Sequence, residues 1–142
     1  MPSFYFTQSP VGSDSEVGPA DETYAPIPNL QPLTITDEFL QFGGTASLSL
    51  FLGAAYSGNV ISFSLYARII DTTTNTVVAE VCYGGTNGLD FTPVTLSAVY
   101  SIAPNAQPVL VAQWKVSGSP GVVILGPSVF SLSATVFESQ SA

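Results

Sequence analysis

The 142-residue chain has no histidine and two basic side chains, Arg68 and Lys115. These absences exclude a good deal. General acid–base catalysis most often uses histidine, with lysine a common substitute, and phosphate binding needs clustered lysine and arginine. No Ser-His-Asp arrangement can be assembled without histidine. Gly84-Gly85-Thr86-Asn87-Gly88 lacks the lysine of a phosphate-binding loop and reads as a hairpin loop. Charged residues make up only 8% of the chain, against about 25% in ordinary soluble proteins. There is one cysteine, Cys82, so no intrachain disulfide is possible, and a small buried thiol is expected. No run of about 20 apolar residues is present to span a membrane. The opening Met-Pro-Ser-Phe-Tyr-Phe has neither a basic nor an apolar signal region, and no Asn-x-Ser/Thr sequon occurs.

Hydroxyls take the place of charge. Eighteen serines and thirteen threonines supply much of the polar surface. A surface of this kind repels other copies weakly, which suits one that is covered by neighbouring subunits. The formal charge of −8 is unevenly placed. Six of the ten acids (Asp14, Glu16, Asp21, Glu22, Asp37 and Glu38) precede residue 39. Such a balance argues against nucleic acid and anionic membranes as partners.

Residues 1–32 read as an extended, Pro-rich, acidic N-terminal arm, holding six of the eleven prolines. Along it Phe4, Tyr5, Phe6, Val11, Tyr24, Ile27 and Leu30 are spaced as apolar anchors for assembly with another chain. Residues 33–142 read as a β-sandwich domain. From residue 33 the hydrophobic period is two, giving strands at Leu33–Thr36, Thr45–Leu52, Val60–Ile70, Val77–Tyr83, Val94–Ile102, Val109–Val116, Val122–Leu125 and Ser128–Phe137. Phe39–Phe42 has room for one helical turn. About eight strands, with turn residues between them and no other helical pattern, predict an all-β antiparallel sandwich of jelly-roll type. In the longest hairpin, Ile70 opposite Val78 places Arg68 opposite Glu80, a register pair. Phe63, Trp114 and Leu132 are expected in the core.

The remaining chemistry rests on oxygen and aromatic groups. Asp71, Glu80, Asp90 and Glu138 are the acids of the strand region, too few and too turn-bound to suggest a glycosidase pair. No cofactor is implied. Calcium is the one metal left open, at Ser13-Asp14-Ser15-Glu16, Asp21-Glu22 or Asp37-Glu38. Tyr56, Tyr66, Tyr83, Tyr100 and Trp114 could form a sugar-stacking platform.

A compact β-sandwich with an arm long enough to reach a neighbour resembles, in outline, small decoration or minor structural proteins of viral and phage particles. The resemblance covers architecture and no motif. It implies a non-enzymatic, self-assembling virion protein whose partners are its own copies and a larger protein shell. A subunit of an extracellular or spore-surface filament built by N-terminal strand addition and a carbohydrate-binding module or adhesin head are the alternatives. The expected location is the virion, or a cell or spore surface.

Overall fold

Alternation of Leu48, Leu50 and Leu52 with Ser47, Ser49 and Phe51 leaves one apolar edge every second residue, which only a half-buried strand can use. The computed structural model describes residues 3–8, 15–17, 23–27, 30–36, 40–57, 62–86, 92–118, 123–125 and 131–139. Of these, 15–17, 53–57, 62–63, 83–86, 92–94, 116–118 and 123–125 are described through backbone pairing alone. The strands are β1 (Ser3–Gln8), β2 (Ser15–Val17), β3 (Ala25–Pro26), β4 (Leu33–Thr34), β5 (Gly44–Ser57), β6 (Ser62–Asp71), β7 (Thr76–Thr86), β8 (Thr92–Ile102), β9 (Val109–Gly118), β10 (Val123–Leu125) and β11 (Ser131–Glu138). No helix occurs among the described residues. Leu40–Gly43, which overlaps the Phe39–Phe42 stretch read as one helical turn, closes a tight turn through the Gly43 N–H to Leu40 carbonyl bond of 3.0 Å.

Two antiparallel sheets form the sandwich. In the first, β1 lies beside β11, β11 beside β5, and β8 along the other side of β5. Short β10 and β2 continue the β11 side at the far end of β5. In the second sheet, β3 and β4 both flank β9, followed by β6 and β7. All pairings are antiparallel and the chain crosses repeatedly between sheets, the jelly-roll pattern predicted from the strand spacing. The eight strands read from the sequence correspond to β4–β11, and β1, β2 and β3 are additional strands within the arm.

The core lies between the sheets. Leu48, Leu50 and Leu52 of β5 and Leu132, Ala134 and Val136 of β11 face Leu65, Ala67 and Ile69 of β6 and Leu110, Ala112 and Trp114 of β9, all buried. The leucines, Ile69 and Val136 among them stabilise the fold by about 1.5–3 kcal/mol each when fully buried. Gly43 sits at φ +77°, and a Cβ there would collide with the Ile102 carbonyl oxygen, so the corner entering β5 needs glycine.

The β6–β7 hairpin shows one shift. Arg68 lies opposite Glu80 and Ala67 opposite Val81, but Ile70 meets Val77 rather than Val78. The extra residue forms a bulge, and consecutive Ile69 and Ile70 both end up buried. Four turn residues follow, with Asn75 in the left-handed region at φ 57°, which asparagine tolerates.

Candidate assembly surface

Strand register determines what the first sheet presents to solvent. Phe4 is opposite Thr135, Thr135 opposite Ser47, and Ser47 opposite Val99. The next row is Phe6, Ser133, Ser49 and Ser97, and the one after it Gln8, Ser131, Phe51 and Thr95. A shorter row holds Phe137, Thr45 and Ser101. All fifteen positions lie on the outer face, exposed or half-buried. Nine are serine or threonine, five are phenylalanine or valine, one is glutamine, and none is charged.

This face also collects the exposed apolar groups. Phe4, Phe6, Phe51, Val99 and Phe137 are five of the seven large hydrophobic side chains exposed among the described residues. The Phe4 and Phe6 rings stack with centroids 6.2 Å apart. Four strands about 4.8 Å apart and eight residues long cover on the order of 500 Å². That is the size of the largest patch on an ordinary monomer, and such patches are often functional.

The opposite face of the sandwich is different in kind. Glu80, Arg68 and Gln113 form one row across β7, β6 and β9, and Cys82, Tyr66 and Lys115 the next. Tyr24 of the arm lies over them. Its ring has the Arg68 guanidinium 3.9 Å from its centre and the Lys115 ammonium at 4.8 Å. Its hydroxyl donates to Glu80 Oε2 at 2.5 Å, and Arg68 Nε donates to Gln113 Oε1 at 2.8 Å. Burial and the Glu80 carboxylate hold the Tyr24 hydroxyl well above the usual tyrosine range. Both cations of the chain thus serve to fasten one tyrosine. Cys82, expected to be buried, is exposed here, because its register opposite Tyr66 aligns it with the outward residues of β6.

The arm anchors divide by the face they point to. Phe4 and Phe6 face solvent on the first sheet. Tyr5 and Leu30 pack partly buried against the core, and Ile27 is 2% exposed within it. The Ile27 N–H bonds the Ala112 carbonyl at 3.1 Å. Tyr24 lies on the second sheet, and Val11 falls outside the described residues. Trp114 is 3% exposed and shares the core cluster with Leu132. Phe63 sits on β6 opposite Gly85 and Gly118, outside the residues whose side chains are described.

Other candidates are dispersed. Asp14, Asp21, Glu22, Asp37 and Glu38 lie outside the described residues, and Glu16 is placed only by its pairing with Ile124. No group of three or more potential metal ligands occurs among the described residues. Of the tyrosines considered for sugar stacking, Tyr66 takes part in the Tyr24 cluster through Lys115, 4.9 Å from its ring. Tyr100 is bonded to Asp71. Tyr56 and Tyr83 are outside the described side chains. The Ser/Thr alternation was visible in the sequence, but its alignment into one face depends on pairings between strands far apart in the chain.

No protein-family model and no curated protein matches the chain. Among solved structures, the fold is similar to the Eiger TNF of S. frugiperda, with a TM-score of 0.51 at 8% identity over 99% of this chain and 96% of that one. Weaker similarity extends to the infectious bursal disease virus VP2 subviral particle (TM-score 0.43, 12% identity, 96% of this chain) and to the T13 particle of the same virus (0.44, 14%, 94%). The chain spans 33% and 31% of those two viral chains. At these identities the likeness is one of fold: an all-β sandwich of jelly-roll type.

Proposed function

We propose that this chain is a non-enzymatic structural subunit that assembles with copies of itself through the outer face of its first sheet, as a decoration or minor structural protein of a virion. The observation that carries this reading is the charge-free face. A molecule with a formal charge of −8 repels its copies, and fifteen uncharged positions give the approach with least repulsion. Facing two such surfaces removes on the order of 1,000 Å² from water, the lower bound for a specific interface. Phenylalanines supply apolar burial, and hydroxyls pair with each other or with bridging water. In this reading Phe4 and Phe6 are the arm residues that touch the neighbouring subunit, while Tyr24 and Ile27 hold the arm to its own body.

Sedimentation equilibrium of the full chain, followed by electron microscopy, tests the reading. A stable multi-chain species is the expected result, with closed particles or sheets favouring the virion setting and linear polymers a filament. A monomer at all concentrations that binds a glycan array would overturn it in favour of a carbohydrate-binding module.

A further inference from the structure

We propose that β1 forms a second contact between copies, in which two chains pair edge to edge through Ser3–Thr7, antiparallel about a two-fold axis at Tyr5. This goes beyond the assembly reading, and it rests on the edge of the sheet rather than on its face.

β1 is the end strand of the first sheet. Native proteins blunt such edges with lysine, proline, bulges or very short strands. Ser-Phe-Tyr-Phe-Thr-Gln carries no proline, glycine or charge over six residues, and its aromatic content favours a strand. The sheet's other edges among the described residues are β8, which contains Pro93 and lies against β7, and β2, three residues long with Glu16 at its middle. β7, at the end of the second sheet, has Glu80 and the Val78 bulge. β1 alone among these strands carries no proline, bulge, charge or very short length to protect its edge.

The register follows from the pleat. Residues directly opposite in an antiparallel pair point to the same face, so a slip by one residue is forbidden when one face is buried. Phe4 and Phe6 point outward and Tyr5 toward the core. Pairing about Tyr5 therefore sets Phe4 opposite Phe6 of the partner subunit, and Phe6 opposite the partner's Phe4. Pairing about Phe4 or about Phe6, which the pleat also allows, keeps one aromatic pair on the outer face instead of two. With the 6.2 Å stack within each chain, centring on Tyr5 gathers four rings in one cluster. The contact is isologous and closes as a dimer, and it joins two charge-free faces into one continuous surface.

Disulfide trapping tests the register. In a Cys82→Ser background, Phe4→Cys and Phe6→Cys proteins are oxidised separately and as a mixture, with circular dichroism as the folding control. Cross-linking of the mixture in preference to either protein alone is expected. Equal yields in all three would overturn the register. Amide exchange of β1 in a Ser49→Glu chain, whose Phe4 and Phe6 are intact, covers the case in which cysteine itself weakens the pair. Protection that rises with protein concentration is expected at alternate β1 amides, those turned away from β11. Exchange independent of concentration would overturn the edge contact without bearing on the face contact, which Ser49→Glu removes beforehand because Ser49 lies on the face and away from the edge.

Discussion

Tyr100 on β8 donates a 2.6 Å hydrogen bond to Asp71 at the end of β6, joining one sheet to the other beside the β6–β7 turn. Asp71 is 2% exposed. Its second oxygen accepts from the Thr73 hydroxyl at 2.6 Å and from the Thr73 N–H at 3.0 Å. The carboxylate is kept in place by hydroxyls and one amide. Tyr100→Phe should lower stability by about 1.5–3 kcal/mol, the range for hydrogen bonds to charged groups. Urea unfolding at neutral pH checks this, and an unchanged midpoint would show the bond to be dispensable.

The same site sets an acid limit. Burial pushes the Asp71 carboxyl up, but the bonds from Thr73 and Tyr100 outweigh burial and hold it below the ordinary carboxylate range. A depressed native value favours folding above the unfolded value of about 3.9, and the benefit is lost as pH falls through the lower native value. The stability advantage of the parent over Asp71→Asn should therefore be full at neutral pH and shrink below about pH 4. An advantage that grew on acidification would contradict this account of the site.

Trp114, opposite Ala67 on β6 and Ala25 on β3, is buried in the core. Trp114→Ala should cost about 3–5 kcal/mol, read as a loss in denaturant midpoint. A mutant as stable as the parent would remove Trp114 from the core.

How much of this was legible in the sequence depends on the range of the interaction. Alternation such as Leu48, Leu50 and Leu52 is local, so β5, β6, β9 and β11 and their inward residues could be read directly. Arg68 opposite Glu80 needed only a short hairpin. Its bulge was less visible, because Val77 and Val78 are equally apolar and the sequence does not say which will be extruded. The strand at Ser3–Gln8 was harder still. Its partner, Ser131–Val136, lies at the other end of the chain, and six prolines nearby suggested an arm rather than a strand. The charge-free face depends on the same long-range pairing. Each strand showed its serines, but only the order β1, β11, β5, β8 lines them up. Arg68 and Glu80 were read as a pair, whereas Tyr24 comes between them, taking the guanidinium on its ring and the carboxylate on its hydroxyl.

Tyr24→Ala should loosen the arm without unfolding the body. It removes two cation–π contacts, each worth about 0.5–1 kcal/mol when exposed, together with the bond to Glu80. Amide exchange at Ile27, whose N–H bonds Ala112, should quicken while β5 and β6 amides stay protected. Uniform loss of protection would mean that the tyrosine holds the whole domain rather than the arm.

Assembly should respond to salt in the direction set by repulsion. Each chain carries −8, and the proposed contact face carries no charge to be weakened by screening. Raising ionic strength from about 0.01 to 0.15 M shortens the Debye length from about 30 to 8 Å, so association should strengthen. Weakening would point to ion pairs between subunits instead.

The most direct test places one charge at the centre of the face. Ser49 lies between Ser133 and Ser97, in the interior of the array. Ser49→Glu would bury an unpaired carboxylate at every contact, at a cost of several kcal/mol, whereas Ser49→Ala would remove one hydroxyl and keep the face neutral. By sedimentation equilibrium, the parent and Ser49→Ala should form face-paired species, and Ser49→Glu should lose them with an unchanged circular dichroism spectrum. Equal association of all three chains would contradict the proposal that this face is where the subunits meet.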